Sequence, residues 1–89
     1  MIRVPLPPLT TERRKELVKT VARKGEEARV ATRNIRRDAV EKLRGMEKAG
    51  TITEDELRRY QEQVQKLTDA HIEQIGATEK AKEKEVMEA

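Results

Sequence analysis

Apolar and small residues recur along the chain in two long runs. The first run is Leu17, Val21, Gly25, Ala28, Thr32, Ile35, Ala39, Leu43 and Met46. Its steps of three and four residues draw one stripe down one face of an α-helix. The second run is Leu57, Tyr60, Val64, Leu67, His71 or Ile72, Ile75, Thr78, then Ala81 or Lys82. It keeps the same period and loses apolar character after Ile75. The pattern predicts helices over about residues 11–49 and 54–87. Each would be roughly 50 Å long at 1.5 Å per residue.

The punctuation agrees with the period. Thr10 or Thr11 can cap the first helix, with Glu12 at its positive end. The stripe ends at Ala49-Gly50-Thr51-Ile52-Thr53, where Gly50 suits the left-handed position that closes a helix. Thr53-Glu54-Asp55-Glu56 then reads as a capping box, with Ile52 and Leu57 placed as a hydrophobic staple. So short a connection makes the helices antiparallel neighbours. The fold class predicted is all-α, a hairpin of two long helices over residues 11–89. Residues 1–10 stand apart. Pro5, Pro7 and Pro8 forbid helix there and impose extended backbone, so Pro5, Leu6, Pro7, Pro8, Leu9 and Thr10 read as a stiff hinge or linker. A lone hairpin buries one seam per helix and is marginal. A further helix or self-association is therefore expected to close the core.

Composition narrows the function. In 89 residues there is one aromatic side chain (Tyr60), one His (His71) and no Cys. Thiol chemistry, disulfides, Cys zinc sites and His-rich metal sites are excluded. So is an aromatic platform for stacked bases. No nucleophile–base set, phosphate loop or metal-spaced carboxylates appear, so neither an enzyme nor a cofactor is expected. Glu54-Asp55-Glu56 is explained by capping, and His71 and Tyr60 by half-buried packing in the second stripe. No apolar run approaches about 18 residues and no signal peptide is visible, which makes a cytoplasmic setting the default.

Charge is divided unevenly. Residues 12–48 carry 13 Lys/Arg and 7 Asp/Glu, a net of +6, whereas residues 51–89 carry 6 and 10, a net of −4. The first helix can therefore offer positive charge to a polyanion. Its acid-free core is Arg29-Val30-Ala31-Thr32-Arg33-Asn34-Ile35-Arg36-Arg37. At about 100° per residue, with Ile35 at the centre of the expected buried side, Arg36 falls near 100°, Arg29 near 120°, Arg33 near 160°, Arg44 near 180° and Arg37 near 200°. These five arginines are the candidate RNA-binding residues. Planar guanidinium forks grip phosphate bidentately, and rows three and four residues apart can follow a phosphate backbone without reading base sequence. The plainer alternative is a solvated face whose arginines pair with Glu26, Asp38 and Glu41. A membrane-surface helix is a poor fit, because no Trp/Phe/Leu-rich face opposes the basic one.

Four stretches carry a family resemblance: IRVPLPPLTTERRKELVK at Ile2–Lys19, EEARVATRNIRRDA at Glu26–Ala39, ITEDELRR at Ile52–Arg59 and VQKLTD at Val64–Asp69. The chain resembles the C-terminal half of bacterial and organellar ribosome recycling factor. The resemblance implies an L-shaped protein with a three-helix bundle and a β-rich head inserted after the first bundle helix. Residues 5–10 would match a hinge strand, and the two predicted helices would be the second and third of the bundle. The family lies between the ribosomal subunits, with the bundle on large-subunit ribosomal RNA, and splits them together with elongation factor G and GTP hydrolysis. Arg33 and Arg36 match its contact arginines, and Arg29 and Arg37 share the motif. The first bundle helix and the head have no counterpart among these 89 residues, so full recycling is not implied for this stretch alone. The alternative reading is a self-associating helical hairpin with no RNA role.

Overall fold

Thr10 opens the first helix with extended backbone (φ −69°, ψ 157°), and its Oγ1 accepts a hydrogen bond from the Arg13 amide at 3.0 Å. Helix α1 then runs over Thr11–Lys48. The structure, a computed structural model, describes residues 9–89. The predicted hinge residues Pro5, Leu6, Pro7 and Pro8 lie outside that range. Leu9 and Thr10, which are described, are not helical.

α1 stops for a reason that can be read bond by bond. Gly50 takes φ +76°. Its amide donates to the Glu47 carbonyl at 3.0 Å, and the Thr51 amide to the Met46 carbonyl at 2.9 Å. That pair of bonds is a Schellman closure, and it satisfies carbonyls the helix end would leave orphaned. Two residues later Thr53 starts helix α2, Glu54–Glu88. The Glu56 amide donates to Thr53 Oγ1 at 3.1 Å, while the Thr53 amide donates to the Glu56 carboxylate at 3.2 Å. The predicted capping box is therefore present, and the staple residues Ile52 and Leu57 are both half-buried. At the open end of the hairpin, the Arg14 guanidinium donates to the Ala89 carbonyl and joins the two helices there. The α2 tail stays helical to Glu88, with exposed Lys82–Glu85 and Lys84–Glu88 pairs. Pairs of this kind contribute only tenths of a kcal/mol.

The helices lie side by side, and eight of the nine α1 stripe positions are half-buried, Ile35 being the exception, while the α2 stripe keeps Leu57, Val64, Ile72 and Ile75 in the seam. On α1 the half-buried positions include Val18, Gly25, Arg29, Thr32, Arg36 and Leu43. Their arc is centred about 80° away from Ile35 on the helical wheel. Ile35, expected at the centre of the buried side, is 69% exposed. On α2 the seam runs through Leu57, Gln61, Val64, Thr68, Ile72, Ile75 and Glu79. Leu67 is 72% exposed, Tyr60 is 39% exposed, and His71, expected as a packing residue, is exposed. Thr68, 7% exposed, is the one buried residue among the described residues, and its hydroxyl donates to the Val64 carbonyl at 2.7 Å.

The physical reason is that each stripe is wider than one neighbour can cover. α2 takes one flank of the α1 stripe and leaves the Ile35 flank open, and α1 does the same to the Leu67 flank of α2. The open flanks share one side of the hairpin. Three connected hollows of about 540, 420 and 320 Å³ run along it. His71 joins the first to the second, and Ala39, Val64 and Leu67 join the second to the third.

Candidate nucleic-acid interface

The rotation of the seam sorts the five candidate arginines into two groups. Arg37 and Arg44 are exposed and have no ion-pair partner among the described residues. Arg33 keeps 48% of its side chain exposed and touches only Glu26 of its own helix, at 3.8 Å. These three form the outward row. Arg36 and Arg29 sit at the flank of the seam. Arg36 is half-buried and donates to the neutral Gln65 Oε1 of α2 at 3.3 Å, with Gln65 in turn held by Asp69 at 2.9 Å. Its charge is not neutralised by that contact, and the guanidinium fork keeps donors to spare.

Arg29 is engaged differently. Its Nη1 donates to Glu79 of α2 at 2.8 Å and its Nε to Glu26 at 3.1 Å. The side chain is only 21% exposed. Hydrogen bonding to Glu79, and then to Glu26, raises the Arg29 pKa above its ordinary value. The wheel placed Arg29 outward because it was drawn around Ile35. The acid that meets it lies 50 residues away on the other helix, and no spacing rule within α1 could have named Glu79. Of the acids proposed as alternative partners, Glu26 does pair, whereas Asp38 and Glu41 make no ion pair with these arginines among the described residues.

The arrangement amounts to a row of positive charges about three turns long on α1, with no carboxylate of α2 bound to Arg33, Arg36, Arg37 or Arg44. Such a row can meet phosphates by position and charge without reading base sequence. No cluster of three metal-ligating side chains occurs among the described residues, and no helix is long and apolar enough to cross a membrane.

The family model described as ribosome recycling factor matches residues 1–87. The chain belongs to the ribosome recycling factor family. It is 62% identical over 88 residues to a ribosome-recycling factor of Geobacillus sp. strain WCH70, 59% to that of Bacillus subtilis strain 168 and 54% to that of Symbiobacterium thermophilum. In each comparison 99% of this chain aligns with 48% of the relative. The chain thus spans about half the length of the recycling factors it matches, and the arginine row and the hairpin both lie inside that half.

Proposed function

We propose that this chain is the ribosome-docking arm of a recycling factor. In this reading the outward face of α1 lies along large-subunit ribosomal RNA, with Arg33, Arg36, Arg37 and Arg44 on backbone phosphates. The observation that carries it is that none of these four guanidinium groups, Arg33, Arg37 and Arg44 on the outward row and Arg36 at the flank of the seam, is bound to a carboxylate of α2. Family membership supplies the setting, recycling of the ribosome after termination. Elongation factor G is the partner with which the whole protein would split the subunits, acting through the half of the family's length that this chain does not span.

The open groove fits the same reading. A third apolar helix from that other half would lie on Ile35, Leu67 and Tyr60 and complete a three-helix bundle. The groove also favours the rival reading, in which a second copy covers it and RNA plays no part. The two separate cleanly by substitution. Arg33→Ala with Arg36→Ala is expected to weaken co-sedimentation with large ribosomal subunits at least tenfold, with helix content by circular dichroism unchanged. Affinity that survives the double substitution would transfer support to the rival.

A further inference from the structure

We infer that Glu79, seated on the bare backbone of Gly25, is a positioning residue that holds Arg29 in the seam, so that Arg29 braces the hairpin and steadies Glu26 instead of gripping phosphate. This rests on the docking reading and narrows it, because it removes one arginine of the motif from the RNA contact set.

Three observations converge. A methyl group at Gly25 would lie 2.7 Å from Glu79 Oε2 and 2.9 Å from its carboxyl carbon. Real Cβ atoms do not approach so closely, so a methyl group here would make the Glu79 carboxylate, the far end of a flexible side chain, shift from its present position. The Glu79 side chain is only 17% exposed, and its carboxylate, an acceptor only, faces the Arg29 cation. Arg29 answers with a 2.8 Å bond while its Nε holds Glu26 Oε2. The other oxygen of Glu26 faces Arg33 Nη1 at 3.8 Å. The contacts therefore form a continuous chain, Glu79 to Arg29 to Glu26 to Arg33, running from the seam to the outward row.

A phosphate reaching Arg29 would have to displace two carboxylates, one of them on the neighbouring helix. Arg33, Arg37 and Arg44 impose no such exchange. Removing Arg29 strands Glu79 in the seam, which loosens the hairpin without deleting a phosphate contact.

Two measurements on the 89-residue chain test this. The first is thermal unfolding without RNA for Glu79→Gln, Arg29→Ala and the double variant. Each single change is expected to lower the midpoint, and the double variant to fall no further than the worse single. Additive losses, or no loss, would overturn the brace. The second is the salt dependence of binding to large ribosomal subunits. Arg29→Ala is expected to leave the log–log slope unchanged, while Arg36→Ala makes it shallower by roughly 0.7–0.9. Equal flattening by both variants would put Arg29 on phosphate and overturn the inference with docking intact. Salt-independent binding of the unsubstituted chain would defeat docking alone, and the unfolding cycle, which contains no RNA, would still decide the brace.

Discussion

Gly45 and Gly50 lie five residues apart in the chain and respond oppositely to a side chain. Gly50 holds φ +76° at the end of α1, a backbone conformation that L residues adopt at a cost of roughly 1–2 kcal/mol. Gly45 is inside the helix with nothing within 4 Å of where a Cβ would stand. An alanine there removes backbone entropy from the unfolded chain and meets no obstacle. Gly45→Ala is expected to raise the stability by about 1 kcal/mol and Gly50→Ala to lower it by a similar amount. Thermal unfolding by circular dichroism reads both, with a shift of about 4–8 °C per kcal/mol for a domain of this size. Two midpoints moving the same way would contradict the assignment of Gly50 as the helix terminator. Residue-scale features were the most legible part of the sequence, for a physical reason. The Thr53–Glu56 box and the Gly50 closure depend on groups within five residues of one another, so their partners are already named by spacing.

At the scale of the elements, spacing gave each helix to within one residue at its ends and most of its buried positions, but centred the α1 face on Ile35, which lies at its exposed edge. Period reports that a stripe exists, and width reports how many neighbours share it. The α1 stripe from Ile35 round to Leu43 is broad enough for two, and α2 fills only the Arg29–Arg36 flank. Centring the wheel on Ile35 therefore rotated the arginines too far outward and moved Arg29 and Arg36 off the seam they actually border. The same error made His71 and Tyr60 packing residues, when they line the open groove. The open flank has a consequence of its own. Ile35 and Leu67 expose large apolar side chains along a connected hollow, and a face of that kind draws a partner. Light scattering on the 89-residue chain by itself is expected to show concentration-dependent association, abolished by Ile35→Glu with Leu67→Glu. A monomer at every concentration, before and after substitution, would show that the groove needs no cover.

At the scale of the whole molecule, function follows from how the two helices divide their charge. α2 answers the α1 excess at one point inside the seam, the Glu79–Arg29 pair, and leaves the outward row unopposed. The hairpin thus turns Arg33, Arg37 and Arg44 outward, while its open apolar groove is bordered by Arg36, Lys24, Lys42 and Lys82. In the proposed reading the outward row takes RNA and the groove takes a helix. The outward row was visible in the sequence as an acid-free run. Which of its members stay free was not, because that depends on carboxylates brought from the second helix. The central claim, that this row docks by phosphate neutralisation, is tested most directly by titrating salt against binding of the 89-residue chain to large ribosomal subunits. Three to four neutralised phosphates predict a log–log slope of roughly −2 to −4. Binding that is flat in salt, or a slope shallower than about −1, would contradict it.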